Sequence, residues 1–252
     1  MLKVRVVPTL LYKDFGLVKG VAFDSRRAIG GAMQAIKVYN LRGVDELVFF
    51  DVTATMQQRA PDFALIDELA DDCFMPFTVG GGVRTLEHVR QLLSVGADKV
   101  AFGTVAVEDP ALVREAADRF GSQCITVVVD VRTSADGRTR VWSRSATRET
   151  DMEPAGFARQ LEALGAGEII VQSADRDGTL EGYDLNTVAS VSRAVGIPVV
   201  ASGGAGSYDD MVAAVQVGGA SAVAAAAMFQ FTQQTPHGAK LHLHAAGLPV
   251  RL

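Results

Sequence analysis

One stretch of this chain is written twice, and that repetition restricts its fold more than any other feature. Val79-Gly80-Gly81-Gly82-Val83 aligns with Ala201-Ser202-Gly203-Gly204-Ala205. Val95-Gly96-Ala97 falls on Val217-Gly218-Gly219, and Gly43-Val44-Asp45-Glu46-Leu47-Val48 on Gly165-Ala166-Gly167-Glu168-Ile169-Ile170, all at one ungapped offset of 122 residues. A neighbouring offset of 119 sets residues 6–11 against 125–130, which makes Leu11 the partner of Asp130. A duplication without gaps favours a closed structure built from two like halves.

The hydrophobic pattern agrees. Strand candidates are residues 4–10, 46–51, 76–79, 99–102, 125–130, 168–173, 198–201 and 221–225. Several are continuous apolar runs, as parallel strands buried on both faces require. Amphipathic stretches at 61–73, 85–95, 110–120, 154–164 and 208–217 lie between them. Pro61, Pro110 and Pro154 suit a first helical turn, and Ser207 ahead of Asp209-Asp210 suits an N-cap. Eight strands alternating with helices over 252 residues is the arithmetic of a (β/α)8 TIM barrel, with residues 1–252 as a single domain and an internal half-barrel duplication. An open doubly wound sheet is the competing architecture. Residues 13–30 and 133–151 are too long and irregular for plain strand-to-helix turns, so both read as mobile loops beside an active site.

Composition excludes several classes of function. A net charge of −5 gives no electrostatic support for a nucleic-acid partner. No apolar run reaches the roughly 18 residues that span a bilayer, and no signal-peptide pattern opens the chain, so a cytoplasmic protein is expected. Cys73 and Cys124 lie in apolar surroundings and read as buried free thiols, in keeping with a reducing compartment. His88, His237, His242 and His244 form no metal-ligand pattern, and His242-Leu243-His244 reads as a solvated tail. Neither a metal nor a cofactor is expected.

In a barrel of this kind reactive groups gather at the C-terminal ends of the strands. Those ends carry Leu11, Asp51, Gly80-Gly81-Gly82, Gly103-Thr104, Asp130, Asp175, Asp177-Gly178-Thr179 and Ser202-Gly203-Gly204. Glycines there let backbone N–H groups approach an anion closely. A single glycine run is equally a tight turn. The recurrence of Gly81 and Gly82 as Gly203 and Gly204 points instead to two phosphate cradles, suited to an elongated bisphosphate. Asp130 closes an apolar run and would project into the barrel mouth, where desolvation raises a carboxyl pKa into the range useful for proton transfer. Capping of a strand end is the alternative. Leu11 cannot move protons. Lys13, Asp14 and Lys19 lie in the first long loop, where a lysine could reach a substrate phosphate or stay a solvated charge. At the opposite end, Arg5, Glu46, Lys99 and Glu168 open strands one, two, four and six, and could form a salt-bridged ring around the barrel floor. Plain barrel-bottom stability is the other reading of that set.

Taken together these residues resemble the cyclase subunit of imidazole glycerol phosphate synthase over nearly the whole chain. The motifs that carry the resemblance include Asp45-Glu46-Leu47-Val48-Phe49, Thr78-Val79-Gly80-Gly81-Gly82, Gly96-Ala97-Asp98-Lys99-Val100, Phe120-Gly121-Ser122-Gln123, Asp175-Arg176-Asp177-Gly178-Thr179 and Gly182-Tyr183-Asp184. The resemblance implies a lyase of histidine biosynthesis in which ammonia from a partner glutaminase, a class I glutamine amidotransferase, enters the barrel floor and travels up its axis. There it would meet the bisphosphorylated substrate PRFAR and give imidazole glycerol phosphate and AICAR. It further implies that Arg5, Glu46, Lys99 and Glu168 are the ammonia gate, that Asp98 is a docking contact to the glutaminase, and that Lys19 is a loop contact to substrate.

The chain also departs from that family. Of the two aspartates that act as acid and base there, Asp130 matches one and Leu11 replaces the other. Gly103 stands where the family has Asn, and Ala227 where it has a phosphate-binding Ser. The first strand and loop, residues 8–19, and Cys73-Phe74-Met75-Pro76 are similar to paralogues found with surface-polysaccharide genes. In those, barrel and glutaminase deliver ammonia to a separate sugar-amidating synthetase. The end of the chain, Gly247-Leu248-Pro249-Val250-Arg251-Leu252, is closer to the cyclase branch. The expected function is therefore an ammonia conduit, partnered by a glutaminase and binding a phosphorylated small molecule, that feeds amidation of a sugar or another small molecule. An authentic cyclase and a non-catalytic, glutaminase-activating subunit are the alternatives.

Overall fold

The computed structural model describes residues 3–14 and 16–252, the side chains of residues 24–26 excepted; Phe15, part of the first-loop motif, lies outside them. In chain order the strands are β1 (Arg5–Lys13), β2 (Gly16–Val21), β3 (Asp24–Gly30), β4 (Leu47–Asp51), β5 (Phe77–Gly80), β6 (Lys99–Phe102), β7 (Ile125–Thr133), β8 (Thr139–Ser143), β9 (Arg148–Glu149), β10 (Glu168–Ser173), β11 (Val199–Ser202) and β12 (Ala222–Ala225). The helices are α1 (Ala32–Leu41), α2 (Phe63–Asp71), α3 (Leu86–Ser94), α4 (Thr104–Glu108), α5 (Ala111–Phe120), α6 (Pro154–Ala163), α7 (Leu185–Ala194), α8 (Tyr208–Gln216), α9 (Ala227–Phe231) and α10 (Pro236–Ala245).

Eight of the strands run parallel in the order β1-β4-β5-β6-β7-β10-β11-β12, and β12 pairs back onto β1, which closes a (β/α)8 barrel. Every strand expected from the apolar runs is one of these eight. Closure sorts each strand into two faces with a period of two residues. Val7, Val48, Ile170, Val200, Ala222 and Ala224 pack against one another inside the barrel. The alternate residues, such as Val6, Leu47, Val127 and Ile169, join a larger core beneath the helices.

The two long connections are not irregular loops. Residues 13–30 hold the β2–β3 hairpin and residues 133–151 hold β8 and β9. β1 and β7 outrun the barrel rim and fold back antiparallel, with Tyr12 opposite Leu17 and Asp130 opposite Trp142, so the freed backbone groups find partners. Each hairpin follows the first strand of its half, and each half has a short extra helix after its fourth barrel strand, α4 in one and α9 in the other. The repeat is thus visible in the decorations as well as in the barrel.

Helix starts follow the capping signals with small shifts. Asp62, not Pro61, is the N-cap of α2, its side chain accepting from Leu65 N, so Pro61 precedes the helix instead of entering its first turn. Pro110 is the N-cap residue of α5, Pro154 stands in the first turn of α6, and Ser207 forms a reciprocal capping box with Asp210 on α8. The His242-Leu243-His244 segment is no solvated tail. It lies in α10, where Leu243 is fully buried and His242 Nε2 lies 2.7 Å from Asp209 Oδ1. Cys73 and Cys124 are unpaired and half-buried, less enclosed than their apolar neighbours suggest.

Candidate active-site cavity and barrel floor

The C-terminal ends of the eight barrel strands surround a cavity of about 460 Å³. Its wall includes Leu11, Lys19, Asp51, Gly81, Gly82, Thr104, Asp130, Asp177, Gly178, Gly203 and Gly204, so the structure brings nearly all the candidate substrate-side residues together. Thr179 is the exception: its hydroxyl turns back to donate to Arg176 O at 2.9 Å, and it does not reach the wall.

The glycine turns keep the backbone bare at two equivalent places. Gly82 has φ 74°, and a Cβ there would stand 2.7 Å from Arg59 O and 2.9 Å from Ala54 Cβ. Gly204 has φ 103°, and a Cβ would collide with Gly182 O. Both positions need left-handed backbone and close approach of a second chain segment, conditions that only glycine meets without strain.

Asp130 and Leu11 both point inward at the mouth, one on β7 and one on β1, as the offset of the repeat requires. Burial, reinforced by the charge of Asp177, pushes the Asp130 carboxyl up from 3.8 to about 7. A carboxyl poised there can give or take a proton near neutrality. Leu11 is in register with Phe50 on β4, and both line the cavity alongside Thr9 and Asp51. The two repeat-related positions therefore differ: β7 presents a carboxyl at Asp130 and β1 an aliphatic side chain at Leu11, while the other wall carboxylates Asp51 and Asp177 are engaged by Arg59 and Lys19.

Lys19 and Asp177 form a buried pair, Nζ lying 2.8 and 3.0 Å from the two carboxylate oxygens. Ala22 N donates to Asp177 O at 2.7 Å, so the β2–β3 hairpin is fastened across the mouth by a side chain and by backbone. Lys19 thus lines the cavity but reaches it through a hairpin docked on Asp177. Lys13 and Asp14 stay exposed at the root of the hairpin. Both oxygens of Asp51 are occupied: Oδ1 accepts from Thr53 N, Thr53 Oγ1 and Ala54 N, each at 3.0 Å, while Oδ2 lies 2.6 Å from Arg59 Nη2. Asp51 organises the loop after β4 while its flank meets the cavity. Asp175 sits on the rim with Arg132 Nε at 2.9 Å.

Arg144 and Ser145, unmarked in the sequence reading, also line the cavity. Arg144 N donates to Thr104 Oγ1 at 3.0 Å, and its side chain pairs with Glu108 at 2.7 Å, which ties the turn after β8 to α4. Arg144, Ser145 and Ala146 all have positive φ. No local signal in Arg144-Ser145-Ala146 announces that conformation, which normally selects Gly or Asn.

The opposite end of the barrel carries the four expected charges as a closed alternating ring. Arg5 bonds both Glu46 and Glu168. Lys99 Nζ lies 3.0 and 3.1 Å from the Glu46 oxygens and 2.9 Å from Glu168 Oε2. Thr78 Oγ1 adds a bond to Glu46 Oε1 at 2.7 Å. Burial alone would push the Glu168 carboxyl up, but hydrogen bonds and charge from Arg5 and Lys99 outweigh it and hold the pKa below its ordinary value. Asp98 stands exposed beside the ring, one oxygen capping β5 by accepting from Phe77 N at 2.8 Å.

Among the described residues no cluster of His, Cys, Asp and Glu has the makings of a metal site, and no helix is long and apolar enough to cross a membrane. The family model described as histidine biosynthesis protein matches residues 5–234.

Proposed function

The chain belongs to the histidine biosynthesis protein family, and from that premise we propose that it is the synthase-side subunit of a glutamine amidotransferase system. In this reading a partner glutaminase sits on the barrel floor beside Asp98, and its ammonia passes the Arg5–Glu46–Lys99–Glu168 ring. The ammonia then moves up the barrel axis to the cavity, where a phosphorylated small molecule is held between the Gly81-Gly82 and Gly203-Gly204 turns. The single observation that carries the proposal is the alternating ring, because it sits at the floor of the same barrel whose other end opens as the cavity. Barrel stability alone does not call for four charges converging on the axis. A buried ionic cluster is often no more stable than an apolar one of the same volume.

The acceptor is proposed to be a sugar or another small molecule amidated elsewhere, and not PRFAR. Cyclisation with one acid and one base needs two proton carriers, and the mouth holds Asp130 on one side and Leu11 on the other. Losing such a group typically costs about 10²–10⁴-fold in rate. A cyclase of histidine biosynthesis is the second reading, favoured by Asp130, whose carboxyl titrates near about 7 in an otherwise well-formed cavity.

PRFAR-dependent turnover with ammonium salts, measured before and after Leu11→Asp, separates the two. No turnover is expected from the unaltered chain and at most slight recovery in the variant; turnover at ordinary cyclase rates would exclude the proposal. With the cognate glutaminase, Lys99→Ala is expected to uncouple glutamine hydrolysis from amidated product, and unchanged coupling would count against a conduit.

A further inference from the structure

Thr126 lies on β7, fully buried, and its hydroxyl oxygen has no hydrogen-bond partner among the described residues. Its direction follows from the strand. Val128 packs on the inner cluster and Asp130 lines the cavity, so Thr126, two and four residues earlier, also faces the axis. The neighbours of β7 are β6, which carries Lys99, and β10, which carries Glu168. The Lys99–Glu168 pair therefore spans β7. Thr126 is in register with Ala101 and Glu168, one inward-facing residue further up β6 than Lys99. A small molecule that slips past that pair meets the Thr126 hydroxyl next.

The other buried hydroxyl near the ring is already engaged, since Thr78 Oγ1 donates to Glu46. Both oxygens of Glu168 are held by Arg5 and Lys99. In the other half the repeat puts Val7 at the equivalent position, where nothing polar is buried. A buried hydroxyl left without a partner is costly, and such groups in folded proteins nearly always bind something.

We propose that the Thr126 hydroxyl is a binding post for a small neutral hydrogen-bonding molecule, ammonia or water, just inside the charged ring. The proposal rests on the reading of the barrel as an ammonia route and gives that route its first polar station. A hydroxyl suits the task because it can accept from an N–H or O–H and donate to a lone pair, whereas a carboxylate would trap ammonium. Above it the axis is lined by apolar side chains such as Val128, Ile170 and Val200, so the post is followed by a dry stretch.

Thr126→Val removes the hydroxyl at nearly constant volume, and Thr126→Ser keeps it. Crystal structures of the wild type and both variants, at a resolution that orders single waters, are expected to show density within hydrogen-bond distance of the hydroxyl oxygen in the wild type and in the Ser variant, and none in the Val variant. The melting temperature of Thr126→Val should not exceed that of the wild type. Thermal shifts in ammonium chloride against sodium chloride at pH 9 identify the occupant. A rise confined to ammonium and to hydroxyl-bearing chains assigns ammonia, while equal behaviour in both salts with density present assigns water; either supports the post. A hydroxyl with no neighbouring density would overturn it, and so would a Thr126→Val variant melting several degrees above the wild type. The two readings fail separately. A dry hydroxyl sinks the post whatever Lys99→Ala does, and full coupling in Lys99→Ala sinks the route whatever the density shows.

Discussion

Asp130→Asn should stabilise this protein above neutrality and leave it unchanged in acid. The carboxyl ionises near its ordinary 3.8 in the unfolded chain and near about 7 in the folded one, because burial and the charge of Asp177 disfavour the anion. A group whose folded pKa is raised in this way, when it is an acid, subtracts stability once the unfolded form ionises. The penalty is absent below about pH 4, grows as pH rises, and is complete above about pH 7. At about 1.4 kcal/mol per tenfold change in proton affinity, the full penalty has a ceiling of about 4 kcal/mol. Asp130 borders an open cavity and is only half-buried, so water offsets part of it, and about 2–3 kcal/mol is expected at pH 8. Lys19, on the hairpin packed over the mouth, is already committed to Asp177 and does not cancel the effect. Urea unfolding of both proteins from pH 4 to pH 9 measures the difference directly. A gap that stays constant with pH, or an Asn variant that is the less stable at pH 8, would refute the reasoning.

Three further outcomes follow from packing and hydrogen bonding. Gly204→Ala forces a Cβ into Gly182 O at φ 103° and should cost about 2–4 kcal/mol together with loss of phosphate-ester binding; calorimetry and phosphate titration would register both. Ser207→Ala removes one arm of the capping box on α8 and is expected to lower stability by about 1 kcal/mol without touching the cavity, a change visible in the unfolding midpoint. Lys240→Met breaks buried bonds of 2.7 Å to both Asp45 Oδ1 and Gly43 O, leaving the Asp45 carboxylate without its cation and held by Val6 N alone among the described residues. A loss of about 3–5 kcal/mol is expected in denaturant melts.

The barrel strands were legible because each is an apolar run buried on both faces, and their spacing left little freedom in topology. The hairpins were not. Residues 22 and 23, Ala and Phe, occupy the tip between β2 and β3 with φ of 49° and 66°, a conformation that neither residue advertises. The turn between β7 and β8 did carry a usable signal in Asp136-Gly137, where Gly137 N donates to Ser134 O and Ser134 N to Arg138 O. The floor ring could be anticipated because its four members open four strands, and strand starts converge on the axis. Lys19 and Asp177 are 158 residues apart, and only the folded chain reveals that one neutralises the other. Thr126 escaped notice for the opposite reason. A threonine inside a β-branched run looks like an ordinary strand residue until its oxygen is seen to lack a partner.

The ring also bears on how two half-barrels became one chain. Register makes Glu46 and Glu168 equivalent, whereas the position equivalent to Arg5 is held by Cys124 and that equivalent to Lys99 by Ala222, one residue beyond the ungapped 122-residue offset read from the sequence. Two copies of the first half would confront four cations with two acids, and two copies of the second would set two bare carboxylates against each other. Neither homodimer is electrostatically sound at its base. Expressed as separate fragments, the halves should therefore prefer each other to themselves, with the floor charges acting as a pairing code.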